Sequence, residues 1–148
     1  MNPTTKISTH FEYHEFFSSG LLYNQSQSFM KKLLDPRLVP LMELMRSTFD
    51  KPVYCNNWYW GGNMMYRGFR PWTTPVGVTY SQHKFGRAMD FNVKDVTPDE
   101  VRSYILNHQS MFMNAGLTRI EDGRDATTWV HVDLAWTGKN SIVVFRDN

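Results

Sequence analysis

Two short segments constrain the fold of this 148-residue chain more than anything else in it. Ala88–Val93 and Trp129–Leu134 both alternate with a period of two, the signature of a β-strand whose successive side chains leave opposite faces. In the first, Met89, Phe91 and Val93 share one face, and Ala88, Asp90 and Asn92 share the other. In the second, Val130, Val132 and Leu134 oppose His131 and Asp133. A sheet built from such strands buries one face and leaves the other open. If the two strands are neighbours, Asp90 and His131 converge on the open face, and small Ala88 leaves room beside them.

The rest of the pattern supplies helices to cover the buried face. Asp35 is placed to cap a helix with Pro36 at its first position. Leu38, Leu41, Met42, Met45 and Phe49 then share one helical face. That helix ends near Phe49–Asp50, and Val53-Tyr54-Cys55 reads as a strand. Thr97 and Glu100 have capping-box spacing for a second helix carrying Val101, Tyr104, Ile105 and His108. Further strands are predicted at Leu117–Ile120 and Ser141–Phe145. Residues 1–34 read as irregular with short helical pieces, Phe11, Phe16 and Phe17 tucking onto the core. The fold class is α+β, a small, mainly antiparallel sheet with flanking helices. The length suits one domain, residues 1–148.

Composition narrows the function classes. A net charge of +2 is too mild for a nucleic-acid-binding face. No stretch approaches the ~18 apolar residues of a membrane helix. Met1–Glu15 lacks the blocks of a signal peptide, so cytoplasmic synthesis is expected. A single cysteine, Cys55, excludes an internal disulfide and a cysteine-based zinc finger. His10 and His14 stand four apart but frame Phe-Glu-Tyr, not the His-Glu-x-x-His motif, and read as solvated surface histidines. A monomer is expected.

Residues 56–80 form a long irregular segment, and such loops in small domains are often functional. From Lys51 through Met89 there is no Asp or Glu, while Lys51, Arg67, Arg70, Lys84 and Arg87 are present. Such a stretch can draw an anionic substrate. Trp58, Tyr59, Trp60, Tyr66, Phe69 and Trp72 crowd into it, either as a core cluster or as a substrate wall.

The chemistry concentrates in Ser81-Gln82-His83-Lys84-Phe85-Gly86-Arg87-Ala88-Met89-Asp90. A turn at Gly86 brings His83 round toward Asp90 and His131. Two imidazoles and a carboxylate suit Zn²⁺, and a catalytic zinc commonly keeps three protein ligands and one water. Ser-x-His-x-x-Gly-x-Ala-x-Asp, followed about forty residues later by His-x-Asp, resembles the zinc peptidases of bacterial cell-wall peptides. These are the D-alanyl-D-alanine carboxypeptidases, dipeptidases and L-alanyl-D-glutamate endopeptidases, and the single-domain carboxypeptidase-like members are the nearest in pattern. Phe11–Phe17 is similar to the family's opening Phe-x-x-x-Glu-Phe segment, and Leu33–Arg46 to its first core helix. Arg67-Gly68-Phe69-Arg70 stands where Ser-Gly-Tyr-Arg is usual. Asn56-Asn57-Trp58 to Gly61-Gly62 is similar to phage-encoded members.

The resemblance implies a fold like that of the hedgehog and D-Ala-D-Ala peptidase domains, with a zinc cleft on one sheet face. It implies one Zn²⁺ held by His83, Asp90 and His131. Ser81 would orient the ligand loop, and Arg70 would bind the substrate's carbonyl or carboxylate. Trp58, Trp60 and Tyr66 are expected to wall the substrate groove. Many relatives carry an acid three residues before the last histidine; here that residue is Thr128. Glu121, Asp133, Asp122 and Asp125 are the substitutes, Glu121 ranking first and Asp133 second. Arg119 shares a strand face with Glu121, so an ion pair between them is the plain alternative for Glu121. The implied activity is hydrolysis of peptidoglycan stem peptides, by an endolysin released through a holin-type route or by a virion component. The alternative is a non-catalytic zinc domain that binds cell wall or protein, as in the hedgehog signalling domain, which keeps the zinc without established peptidase activity.

Overall fold

The computed structural model describes residues 5–147; residues 1–4, part of the stretch read for targeting signals, and residue 148 lie outside it. Each alternating segment forms a strand, β2 (Ala88–Val93) and β4 (Val130–Asp133). They pair antiparallel with Asp90 opposite His131 and Ala88 opposite Asp133. The remaining strands are β1 (Val53–Tyr54), β3 (Arg119–Glu121) and β5 (Val143–Phe145). The sheet order is β1-β2-β4-β3-β5. All neighbours are antiparallel except β3 and β5, which run parallel. The sheet is therefore mixed but mainly antiparallel, and the fold is α+β.

Met89, Phe91, Val130 and Val132 are fully buried, on the face covered by the helices. The main helix, here α3 (Leu38–Phe49), follows α1 (Ser19–Asn24) and α2 (Gln27–Lys32). It buries Leu38, Leu41, Met42 and Met45 completely, as its periodicity predicts. It starts later than expected from Pro36. Asp35 spends its carboxylate on the Arg37 amide at 2.9 Å and the Arg37 guanidinium, forming a turn ahead of the helix. α4 (Pro98–Asn107) is capped by the Thr97 hydroxyl, which accepts from the Glu100 amide at 3.2 Å and donates to the Glu100 carboxylate at 3.0 Å. A short α5 (Gln109–Asn114), not anticipated from the sequence, follows directly after His108. β3 starts later than predicted, because Gly116 and Leu117 complete the turn that leaves α5.

Phe11, Phe16 and Phe17 are buried around a 3-10 turn at Tyr13–Glu15. His14 lies here and is fully buried, so the expectation of two solvated histidines fails for it. Its ring stacks on Tyr59 at 4.5 Å and meets Trp60 edge-on at 4.7 Å, while Nε2 faces Glu12 at 2.5 Å. A 3-10 turn and an aromatic box, not a helix, place it, which four-residue spacing does not anticipate. Among the described residues no helix is long and apolar enough to cross a membrane.

Candidate metal centre

Three donor atoms meet on the sheet face opposite Met89, Phe91, Val130 and Val132, a face expected to be open but on which Ala88, Asp90, His131 and Asp133 are all buried. β2 supplies Asp90, its cross-strand partner on β4 supplies His131, and the 3-10 turn Gln82–Phe85 supplies His83. That turn is fixed at both ends. Ser81 Oγ accepts from the His83 amide at 3.3 Å. Gly86 closes it at φ +69°, where a Cβ would sit 1.9 Å from the Leu33 carbonyl oxygen. Only glycine allows both the left-handed backbone and this close approach. Gly68 holds the ring itself, since its carbonyl accepts from His83 Nδ1 at 2.8 Å, and a Cβ there would meet the Phe16 carbonyl at 2.5 Å.

His83 Nε2 lies 3.3 Å from His131 Nδ1 and 3.3 Å from Asp90 Oδ1, and His131 Nδ1 lies 2.8 Å from Asp90 Oδ1. A tetrahedral zinc with bonds of ~2.0–2.1 Å separates its donors by about 3.3 Å. Two of the three edges have that length, and the third is contracted to a hydrogen bond. The tautomers agree with this use. A carbonyl only accepts, so His83 carries its proton on Nδ1 and turns the Nε2 lone pair inward. His131 faces a carboxylate from each ring nitrogen, Nε2 donating to Asp133 Oδ2 at 2.9 Å and Nδ1 to Asp90 Oδ1 at 2.8 Å, so a metal at the centre would take the place of the Nδ1 proton while Nε2 keeps its own. Second partners of this kind fix the orientation of metal-binding histidines. His83, Asp90 and His131 are all buried and form a cluster able to hold a divalent ion.

The electrostatics are those of a site that wants a cation. Burial works against the charged forms throughout. At Asp90 it is outweighed by His83 and His131, which hold the carboxyl well below its usual range. At His131 the carboxylates of Asp133 and Asp90 overcome burial and push the imidazolium up to about 9. At His83 burial prevails and the pKa is lowered. Arg70 reaches the same point, Nε donating to the Tyr66 carbonyl at 2.8 Å and Nη2 to Asp90 Oδ2 at 3.2 Å.

The carboxylates named as proton acceptors are now distinguishable by their company. Asp133 is completely buried and accepts from Arg119 Nε and Nη2, His131 Nε2 and the Ala135 amide. Asp122 is paired with Arg124, and Asp125 with Arg146. Glu121 lines the cleft beside His83, Asp90 and His131. Arg119 gives its ion pair to Asp133 and not to Glu121. Burial raises the Glu121 pKa, opposed by His131 and assisted by Asp90. Thr128 is exposed, and its carbonyl accepts from Asn92.

The cleft has a volume of about 450 Å³, and its aromatic lining is Tyr80, Trp129 and Phe145. The three aromatics expected to wall it stand elsewhere. Trp58 donates its indole N–H to the His14 and Phe17 carbonyls at 3.1 and 2.9 Å, bracing the N-terminal turn. Trp60 is exposed on a separate, larger concavity of about 960 Å³. Tyr66 contributes its carbonyl to Arg70 and does not line the cleft. Aromatic crowding in the sequence marks a folded loop, and it does not reveal which of the loop's residues reach the donors; Gly68 and Arg70 do so here. Among the described residues the one cluster of three metal donors, His83, Asp90 and His131, lines the smaller concavity.

Sequence reasoning also missed Arg102 on α4. Its Nη1 donates to the carbonyls of Ala126 and Trp129, both at 3.0 Å, pinning the loop that delivers β4 and His131. An arginine at a buried helix position was the available signal. No family model, curated protein or solved structure matches the chain. The family resemblance therefore rests on the motif residues themselves.

Proposed function

We propose that this protein is a zinc-dependent peptidase that hydrolyses amide bonds in the peptide stems of bacterial peptidoglycan. The observation that carries the enzymatic part is an open cleft where two imidazole nitrogens and a carboxylate converge, with Glu121 beside them. The substrate part is supported by the resemblance of the Ser81–Asp90 and His131-x-Asp133 motifs, in residue type and spacing, to the cell-wall zinc peptidases.

Zinc in such a site supplies Lewis acidity, polarising a carbonyl and acidifying water toward neutral pH. The chain's own residues do the rest. Glu121 accepts a proton from the attacking water and returns it to the leaving amine, a role suited to a carboxyl whose pKa is raised. Arg70 offers its guanidinium to the oxygen on which negative charge develops. Asp133 keeps His131 oriented, and Ser81 holds the turn that carries His83. Tyr80, Trp129 and Phe145, in place of Trp58, Trp60 and Tyr66, wall the substrate. Delivery to the wall follows either a holin-type route from the cytoplasm or carriage on a virion. The protein acts as a monomer, without nucleic acid or membrane insertion. The lack of an acid at Thr128 supports the alternative, a non-catalytic zinc domain that binds cell wall or protein; Glu121 in the cleft favours the enzyme.

The test is digestion of purified peptidoglycan by the zinc-loaded protein, with a chelator-treated control and products identified by mass spectrometry. New peptide ends that vanish with chelator and return with zinc support the reading and name the bond. Intact wall with a zinc-loaded, folded protein overturns it in favour of the binding domain.

A further inference from the structure

Arg119 touches none of the three donor atoms, yet the geometry of one donor depends on it. It stands directly opposite Asp133 in the β3–β4 ladder. Its Nε donates to Asp133 Oδ1 at 2.9 Å and its Nη2 to Oδ2 at 2.8 Å. The Phe145 ring lies 4.1 Å from the guanidinium carbon and packs edge-on against His131 at 5.5 Å between ring centroids. Both Asp133 oxygens are thereby doubly engaged: Oδ1 by Arg119 and the Ala135 amide, Oδ2 by Arg119 and His131 Nε2. A carboxylate clamped in this way cannot rotate, and a paired guanidinium sustains its charge in a fully buried place.

We propose that Arg119 is a positioning residue that acts through Asp133 to keep the His131 proton on Nε2, and so makes Nδ1 the donor facing the centre. The inference rests on the metal reading of the site. A second consequence follows from the strand pattern. Arg119 and Glu121 share a face of β3, and the guanidinium gives its two-point grip to Asp133, so Glu121 has no ion pair from Arg119. The contrasting role for Arg119 is a plain ion pair that joins β3 to β4.

The test uses the full chain, Arg119→Leu and Arg119→Lys, and zinc as the probe. Zinc affinity is measured by competition with a chromophoric chelator, and the His131 Nε2–H resonance of the zinc-loaded protein is followed by nitrogen-15 NMR. Arg119→Leu is expected to weaken zinc binding by about 10–100-fold, the usual effect of losing a group that orients a ligand, and to speed exchange of the Nε2 proton. Arg119→Lys keeps the charge without the two-point fork and is expected to fall between Leu and wild type; it also keeps the proposal falsifiable should the leucine variant not fold. Unchanged zinc affinity and unchanged proton exchange in a less stable variant would establish the plain ion pair and overturn the proposal. Failure of the wild type itself to hold zinc would instead overturn the metal reading beneath it.

Discussion

Replacing Glu121 by Gln removes a proton acceptor and almost nothing else. The residue is 8% exposed, lines the cleft and is not one of the three donors. The amide has the same shape, so zinc content and KM are expected to stay near wild type. General-base catalysis contributes about 10²–10⁴-fold, so kcat is expected to fall by that factor, equivalent to ~2.7–5.4 kcal/mol of barrier. Stability is expected to move the other way. Burial raises the folded-state pKa of Glu121, so the stability this group lends is complete below its unfolded value and is lost as pH rises through the folded one. At neutral pH the ionised carboxylate is thus a burden that glutamine lifts, and the metal-free variant should be at least as stable as wild type. The assay is initial rates on purified stem peptides at saturating zinc, with thermal melts of the metal-free proteins alongside. A carboxyl titration followed by NMR should place Glu121 above 4.5 in the metal-free protein and lower it on zinc loading, because a nearby cation favours the carboxylate. An unchanged kcat in a folded, zinc-loaded Glu121→Gln protein would refute the assignment of the base.

Chelation should destabilise the fold, since the donors come from β2, β4 and the Gln82–Phe85 turn. With zinc at about 1,000 times its dissociation constant the ion contributes ~4.1 kcal/mol. For a domain near this size that is a fall of about 8–16 °C in Tm on adding chelator, read by calorimetry. Gly86→Ala forces a side chain into the left-handed region against the Leu33 carbonyl. It should cost at least ~1–3 kcal/mol in denaturant unfolding and weaken zinc binding by displacing His83. Glu15 is buried, and burial, partly offset by its Glu12 amide bond, pushes its pKa from 4.5 up to about 7. Its contribution is therefore present below pH 4.5 and fades as pH rises through about 7, a difference of ~3 kcal/mol. Urea unfolding of wild type and Glu15→Gln at pH values of about 5 and 8 should show the variant gaining on wild type at the higher pH, and parallel behaviour at both would contradict this.

The sequence by itself determined which faces the strands show and which residue types could meet. Period-two alternation fixes the outward direction of Asp90, His131 and Asp133 before any fold is known, because consecutive strand residues must leave opposite sides. The helical stripe from Leu38 to Met45, the Thr97 cap and the Gly86 turn are equally local, set by spacing and backbone sterics. The fates of the carboxylates were not local. Glu121 and Asp133 are both acids on outward strand positions, and only the β3–β4 register put Arg119 opposite Asp133, tying down one acid and releasing the other. Register is a property of paired strands, not of either strand alone. The loop aromatics were undecidable for a related reason. Trp58, Trp60 and Tyr66 lack a period that assigns them a face, so the path of residues 56–80 decided their places, and it brought Gly68 and Arg70 to the donors while leaving all three aromatics outside the cleft lining.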